Sequence, residues 1–522
     1  GKSLLFGIFA DILKMIIDKK RYMKRVFRGA LAVAVAAIFC ATTFSSCTND
    51  EEYDFAFELP GQIVTRLNET VVIPFTARNI TSVSVMSKPA GWTIEDVDLV
   101  NWTITVKSPE SYSDADNDVV ENGNLILTGY TAAGTTTKAT SYLSLSNREV
   151  DLTEEYSNSY VITQPDTRYT IDVTHKGESS QTISPANVAV LWQSAKDLVN
   201  FSSFDAASGT FTFFISHKDT DDDNDDATVS KVPDGNAVIA AYDADDNILW
   251  SWHVWVTESD PASNAVATSA GVFMDRNLGA YRNSDGSTNT DEIFESYGLY
   301  YQWGRKDPFI RPVDYKFSNN TDKTVFSATN TVKRFAYVDA EKDADAGTVE
   351  YAVAHPMSFV LGSKDNRYDW LWSTHDDNLW SDDVKSVYDP CPRGWRVPAG
   401  KTFTAFDIDP IEDEAQLADI RGMYGWHIVD PAKGAKLFMP GAGRRSFENG
   451  VLTNMNDYGY EHVPMPWIGY YWTCGTGTSD PATAESMFFD LNTTRAVNNR
   501  YEAAKEMYRA NGMQVRCVRD DR

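Results

Sequence analysis

Residues 55–147 contain short runs of apolar, β-branched residues between polar segments, a pattern typical of β-strands. These runs lie at 70–75, 82–85, 102–106 and 125–128. Runs of this length, separated by turn residues, indicate the strands of a small sandwich. No cluster of reactive side chains accompanies them, so we expect this module to act as a spacer.

Residues 148–261 form a second predicted β unit. Its last two strands, 235–242 and 248–256, flank the turn-forming cluster Asp243–Asn247, which predicts a β-hairpin. His253 in the final strand has no His, Cys or carboxylate at metal-ligand spacing nearby. We therefore expect a strand histidine there rather than a metal ligand.

The same unit contains an acidic run in which Asp219, Asp221 and Asp223 alternate with other residues, as oxygen ligands do in calcium loops. An EF-hand would need glycine at the sixth position and a bidentate acid at the twelfth, where this chain has Asn224 and Ser230. A solvated acidic loop is the favoured interpretation, with calcium as the alternative. The sequence predicts no cofactor and no firm metal site.

Composition restricts the class of protein. A chain of 522 residues is too long for one core, and three or so domains are expected. A formal net charge of −27, with 8 of the 47 Lys and Arg residues confined to positions 1–46, argues against binding nucleic acid, which requires a basic surface. It also argues against adsorption to an anionic membrane and favours solubility on a cell exterior.

The N-terminal segment has the layout of a secretory signal. Residues 23–46 contain a basic start (Met23–Arg28), the apolar run Leu31–Phe39 and the small pair Ser45–Ser46 before Cys47. This layout resembles the lipobox of bacterial lipoproteins, which implies lipidation (palmitate) at Cys47. The alternative is an ordinary signal peptide with an incidental cysteine. Residues 1–22 are interpreted as an upstream extension.

Residues 47–54 form an acidic linker, with Asp50, Glu51 and Glu52 soon after the cysteine. This run resembles the surface-export signal of Bacteroidetes lipoproteins. The resemblance implies a lipid-anchored protein exposed on the outer membrane, while a solvated linker is the alternative. In the same group of proteins, 55–147 resembles immunoglobulin-like modules, and 148–261 resembles the β-rich segment of fimbrillin-like lipoproteins of Bacteroides.

The last half of the chain contains five aromatic segments that are rich in glycine and proline. They are FMDRNLG (273–279), YYQWGRKDPF (300–309), DPCPRGWRVP (389–398), YYWTC (470–474) and GMQVRCV (512–518). In this order they resemble the Fibrobacter succinogenes major paralogous domain, whose fold is similar to C-type lectins and formylglycine-generating enzymes. The resemblance implies an α+β C-type lectin-like domain over 262–522. The predicted fold class is thus mainly β and multidomain, with two β-sandwich modules before this domain.

Local patterns add detail to the C-terminal domain. Short helices are predicted near Thr402–Phe406 and Glu414–Arg421, and a final strand at Val515–Val518. In C-type lectin-like folds the positions of Cys391 and Cys517 are close and commonly bridged, so the resemblance implies a Cys391–Cys517 disulfide. Cys474 would then be unpaired and buried.

No catalytic machinery is evident in the sequence, and we expect that the protein is not an enzyme. Formylglycine-generating relatives use a pair of cysteines to bind copper, whereas Cys474 alone would remain here. As a nucleophile, Cys474 would need a histidine base, which the sequence cannot place beside it. Calcium-dependent sugar-binding lectins use a Trp-Asn-Asp motif that this chain lacks.

Binding by aromatic side chains remains open. Five aromatic residues are candidates for stacking on a ligand, with core or loop packing as the alternative: Tyr300, Trp380, Tyr458, Tyr460 and Trp467. The resulting hypothesis is a surface binding protein or adhesin that presents a head to an unknown glycan or protein ligand, with fimbrial subunits as candidate partners. The alternative is a glycan-capture accessory lipoprotein of a polysaccharide-utilisation system, and an enzyme is the least favoured hypothesis.

Overall fold

The structure is a computed structural model that describes residues 55–110, 122–145, 148–217, 232–312, 324–362, 364, 368–372, 374–453, 467–491 and 500–521. The protein is mainly β and multidomain, as predicted from the sequence. It divides into two compact units, 1–143 and 144–522. None of the helices in the described ranges is long and apolar enough to cross a membrane.

The first unit contains two main sheets and a short strand pair. Its strands are β1 (Ala56–Glu58), β2 (Gln62–Thr65), β3 (Thr70–Pro74), β4 (Thr76–Arg78), β5 (Ser82–Ser87), β6 (Thr93–Asp98), β7 (Thr103–Lys107), β8 (Gly123–Tyr130) and β9 (Thr136–Leu145). The sheet orders are β2-β9-β8-β5, β3-β7-β6 and β1-β4. Leu125 and Leu127 of β8 are fully buried while their neighbours are not, so the period of two that predicts strands also selects the core face.

The second unit begins with two sheets built mainly from 148–261. Their strands are β10 (Arg148–Leu152), β11 (Ser159–Ile162), β12 (Thr167–Asp172), β13 (Asn187–Gln193), β14 (Phe201–Asp205), β15 (Thr210–Ile215), β16 (Gly235–Tyr242), β17 (Ile248–Val256), β21 (Val325–Phe326) and β22 (Val332–Lys333). The orders are β10-β12-β15-β14 and β11-β17-β16-β13-β21-β22. The predicted hairpin around Asp243–Asn247 is confirmed by the antiparallel pairing of β16 with β17.

The expected boundary between 261 and 262 does not separate compact units. β13 pairs with β21 from the C-terminal segment, and Trp192 packs edge-on against Phe335 with ring centroids 5.7 Å apart. Trp192 and Trp255 share one buried cluster with Trp303 and other C-terminal residues. Residues 144–522 therefore form one compact unit, in which one of the buried clusters contains residues from both sides of position 261.

The described residues of 262–522 add further strands, three α-helices and two 3-10 helices. The strands are β18 (Val266–Thr268), β19 (Gly271–Phe273), β20 (Tyr301–Gln302), β23 (Ala336–Asp339), β24 (Ser358–Leu361), β25 (Trp395–Arg396), β26 (Asp407–Ile408), β27 (Gly425–Val429), β28 (Lys436–Pro440), β29 (Ala442–Arg445), β30 (Leu452–Thr453), β31 (Ile468–Thr476), β32 (Thr483–Asp490), β33 (Tyr501–Tyr508), β34 (Gly512–Met513) and β35 (Val518–Arg519). The largest sheet has the order β20-β34-β29-β31-β32-β33, with β30 beside β29. Smaller sheets are β18-β19-β35-β25, β26-β27-β28 and β23-β24.

The helices are α1 (Thr290–Glu295), α2 (Val349–Ala354), α3 (Glu414–Gly422), η1 (Ala344–Gly347) and η2 (Thr402–Ala405). η2 and α3 confirm the two predicted helices. The predicted strand Val515–Val518 is only partly present, because regular pairing resumes at Val518. Arg516 is buried and donates to the carbonyl of Phe438 at 3.0 Å, so its side chain does not alternate outward as the prediction assumed.

Candidate functional site

Two of the predicted ligand-binding aromatics lie in the core. Tyr300 and Trp380 are fully buried, so the prediction that they contact a ligand is wrong. The Tyr300 hydroxyl donates to the carbonyl of Ala442, and Trp380 Nε1 donates to the carbonyl of Tyr388 at 3.0 Å. Both side chains close a loop-rich core, which requires large rigid groups whose polar atoms find internal partners.

Trp467 is half-buried, and its ring is covered by a neighbouring side chain. The Arg421 guanidinium lies 4.1 Å from the ring centroid, and Trp467 Nε1 donates to the Arg421 carbonyl at 3.2 Å. Tyr458 and Tyr460 lie outside the described residues, as do the weak calcium candidates Asp219, Asp221 and Asp223. Within the described ranges, no group of three or more His, Cys, Asp or Glu residues is placed to hold a metal ion.

The structure contains the disulfide that the resemblance implies. Cys391 and Cys517 are bonded, with their Cα atoms 6.0 Å apart. Cys474 is free and buried, and its Sγ lies 3.5 Å from the carbonyl oxygen of Val397. Burial raises the pKa of the Cys474 thiol well above its usual range, so the group stays protonated and weakly nucleophilic.

His253 is a buried strand histidine, as expected. Its Nε2 lies 2.9 Å from Asn236 Oδ1, and its Nδ1 lies 3.0 Å from Ser159 Oγ. Burial lowers the pKa of His253 to about 3, so the imidazole is neutral at physiological pH. This side chain belongs to the packing of β17 against β11 and β16.

A buried ion pair links β17 to the segment that follows β20. Lys306 Nζ lies 2.7 Å from Asp307 Oδ1, and that oxygen also accepts from Ser251 Oγ at 2.6 Å. Lys306 Nζ donates to the Ser251 carbonyl at 3.0 Å and lies 4.5 Å from the Trp250 ring centroid. All of these side chains are buried, so this network stabilises the fold rather than contacting a ligand.

The surface feature best suited to binding is a set of three half-buried rings, which we call the surface aromatic cluster: Tyr368, Phe447 and Tyr508. The ring centroid of Tyr368 lies 4.8 Å from that of Phe447 and 4.8 Å from that of Tyr508, while Phe447 and Tyr508 are 5.0 Å apart. The interplanar angles are 53° to 73°, so the rings pack edge-to-face and tilted. Within the described residues, neither tyrosine hydroxyl has a hydrogen-bond partner.

Three different elements bring the cluster together. Phe447 lies in the turn of the β29–β30 hairpin, and Tyr508 ends β33. Asn511 ties these two elements together, because its Oδ1 accepts from the Phe447 backbone N–H at 3.2 Å and its Nδ2 donates to the Tyr508 carbonyl at 2.9 Å. The rings are therefore held in place by backbone contacts as well as by their mutual packing.

Tyr368 has an unusual backbone conformation. Its φ of 71° lies in the left-handed region, which is uncommon for a bulky residue and costs roughly 1–3 kcal/mol. The carbonyl of Tyr368 accepts from the Ala510 backbone N–H at 3.3 Å. The strained conformation therefore places its ring beside the end of β33.

Sequence reasoning did not single out these three rings. A signal existed for Phe447, which stands alone in the polar turn Ser446–Gly450, where an apolar side chain has no local reason to occur. Tyr368 and Tyr508 carry no such signal, because they are 140 residues apart and only the fold brings them together.

Comparisons with known proteins identify no family. No family model matches the chain, and no curated protein matches it. Among solved structures, it is similar to an endo-fucoidan hydrolase of glycoside hydrolase family 107 at 10% identity and a TM-score of 0.15, over 37% of this chain and 32% of that one. It is similar to the Bacteroides ovatus mixed-linkage glucan utilization locus protein SGBP-B, solved with a mixed-linkage heptasaccharide, at 13% identity and a TM-score of 0.12, over 41% and 46%.

A third similarity is to SporoSAG from Toxoplasma gondii, at 11% identity and a TM-score of 0.13, over 39% of this chain and 98% of that one. The chain spans about a third and about half of the lengths of the first two structures.

Proposed function

We propose that this chain is a lipid-anchored, surface-exposed binding protein of the outer membrane whose region 262–522 forms a non-catalytic, C-type lectin-like head for a saccharide ligand. The surface aromatic cluster supports this proposal. Three contacting rings from distant parts of the sequence are held half-exposed, and one of them has a strained backbone. Strain of this kind persists where the surrounding structure enforces it, and such positions concentrate at functional sites.

A saccharide suits the chemistry of this surface. A pyranose ring has C–H groups on its faces and hydroxyl groups on its rim. Aromatic faces carry negative charge and attract C–H groups, and the tyrosine hydroxyls can donate to and accept from sugar hydroxyls. Tyrosine also contributes a large contact area with few rotatable bonds, so little conformational entropy is lost on binding.

The first prediction concerns the cluster. Tyr508→Ala is expected to weaken saccharide binding at least tenfold, because it removes one ring and loosens the other two. Tyr508→Phe, which removes only the hydroxyl, is expected to have a smaller effect of about threefold, within the range of a single lost hydrogen bond. Binding of the mature chain, residues 47–522, is measured first on a glycan array and then by calorimetric titration with the saccharide bound.

Tyr130→Ala is the matched control, since Tyr130 is 37% exposed in the first unit. It is expected to leave affinity unchanged. Equal losses for the Tyr508 and Tyr130 variants, or no loss for Tyr508→Ala with the fold intact, would place the ligand elsewhere. An array without any bound saccharide would contradict a saccharide ligand and favour a protein ligand.

The second prediction concerns the anchor. Cys47→Ser is expected to abolish incorporation of an alkyne-labelled palmitate analogue, and the protein should move from the membrane fraction to the soluble fraction. Cys40→Ser is the control, because Cys40 lies within the signal segment 23–46, directly after its apolar run. Continued labelling of the Cys47 variant would show that the acylated residue is a different one.

A further inference from the structure

One arginine stands beside the surface aromatic cluster without a carboxylate partner in the described part of the chain. Arg444 on β29 is half-buried, and its Nη1 donates to Asn511 Oδ1 at 2.7 Å. Asn511 is the residue that also holds Phe447 and Tyr508, so a single amide joins the guanidinium to two rings of the cluster.

The remaining donors of Arg444 are poorly satisfied. A guanidinium has five N–H donors, and Nη1 provides the hydrogen bond to Asn511. The Nε–H is buried and has no acceptor among the described residues. The guanidinium carbon lies 5.5 Å from the ring centroid of Tyr470, which supports the group from one side. The geometry thus fixes the position of the guanidinium without supplying an anion.

The absence of a carboxylate partner for Arg444 among the described residues is informative because the chain is strongly acidic. It has 74 Asp and Glu residues against 47 Lys and Arg residues, so a random arginine has many possible carboxylate neighbours. Two arginines with exposed side chains do form ion pairs: Arg282 with Glu258 and Glu295, and Arg519 with Asp521. Among the described residues, Arg444 has no such carboxylate partner, and it lies beside the surface that we propose binds a ligand.

We infer that Arg444 recognises an anionic group on the ligand of the surface aromatic cluster, so that the ligand is a saccharide carrying a carboxylate or a sulfate. This inference rests on the proposed saccharide-binding function. Guanidinium and carboxylate or sulfate groups form paired, charge-assisted hydrogen bonds, which are stronger and more directional than those to neutral hydroxyls.

The net charge of the protein limits how many anionic groups the ligand carries. A formal charge of −27 repels a polyanion over distances up to the Debye length, about 8 Å at physiological ionic strength. A single anionic group that contacts Arg444 directly gains the local attraction with little of this repulsion. The ligand is therefore a saccharide with isolated anionic sugars in a mainly neutral chain.

The experiment compares matched neutral and anionic saccharides with the mature chain. The probes are lactose, 3′-sialyllactose and lactose 3′-sulfate, together with galacturonic acid and its methyl ester, in which the single carboxylate is neutralised. Each is titrated against wild type, Arg444→Gln and Arg444→Lys. Arg519→Gln is the matched control, because it changes the net charge equally on a different sheet.

At least one anionic probe is expected to bind tenfold or more tightly than its neutral counterpart. Arg444→Gln removes this preference, Arg444→Lys restores part of it, and Arg519→Gln retains it. A preference for the carboxylate or for the sulfate probe distinguishes the two sources of the anion. Equal binding of neutral and anionic members, or a preference that survives Arg444→Gln, overturns the inference while the saccharide-binding function stands. No binding of any saccharide probe overturns both.

Discussion

Replacing Asp307 with alanine is expected to lower the free energy of unfolding of the second unit by about 3–5 kcal/mol, the usual cost of breaking one side of a buried ion pair. The Asp307 carboxylate accepts from Lys306 and from Ser251, and without it the Lys306 ammonium is a buried cation with no ion-pair partner among the described residues. Urea denaturation of the mature chain, followed by tryptophan fluorescence, measures the loss directly because Trp250 lies against Lys306.

The loss should depend on pH in a defined direction. Burial lowers the pKa of Lys306 below its usual range, and Asp307 partly opposes that shift. The unfolded state therefore binds more protons than the folded state between the two pKa values, so stability rises as the pH increases toward the unfolded value of about 10.4. Without Asp307 the difference widens, and the variant should recover part of its stability at alkaline pH.

Two companion variants test whether charge is responsible. Asp307→Asn keeps an acceptor but not the charge and should lose less than the alanine variant. The double variant with Lys306→Met and Asp307→Leu removes both charges and should recover most of the loss, since paired apolar substitutions in a core are often neutral. A loss below about 1 kcal/mol for Asp307→Ala would mean that the pair is solvated, contrary to the structure.

The second large effect is expected from the disulfide. Joining Cys391 to Cys517 restricts the unfolded chain across a separation of 126 residues, which corresponds to about 4–5 kcal/mol in the chain-entropy model. The double variant Cys391→Ala with Cys517→Ala should lose about this much stability. Reductant should destabilise wild type by a similar amount and leave the double variant unchanged.

Cys474→Ala is the control, because Cys474 is the free cysteine among the described residues. It removes a buried free cysteine, and its response to reductant should match that of wild type. A peptide map under non-reducing conditions provides the direct test. Free thiols at both Cys391 and Cys517, or a bond from either of them to Cys474, would contradict the arrangement in the structure.

Much of the fold follows from local patterns in the sequence. The hairpin around Asp243–Asn247 and the helices η2 and α3 depend on turn formers and on short-range periodicity, which act within a few residues. The strands of the first unit follow for the same reason. Local patterns do not predict that 144–522 folds as a single unit. That arrangement involves long-range contacts such as the pairing of β13 with β21, more than 130 residues later in the chain.

The candidate site was harder to predict than the fold. Tyr300, Trp380 and Phe447 are all aromatic residues in loop-rich sequence, yet the first two are core residues and the third is half-exposed. Composition and spacing do not distinguish these cases, because burial is decided by which distant segments pack together. Arg444 likewise has no sequence signature, since its role depends on Asn511 lying beside it.

The most direct test of the central claim is hydroxyl-radical footprinting of the mature chain with and without the saccharide that binds most tightly. We expect protection of Tyr368, Phe447 and Tyr508 to increase with ligand concentration, while Tyr130 in the first unit remains equally reactive. Protection confined to other aromatic residues, with the surface aromatic cluster unchanged at saturating ligand, would contradict the account.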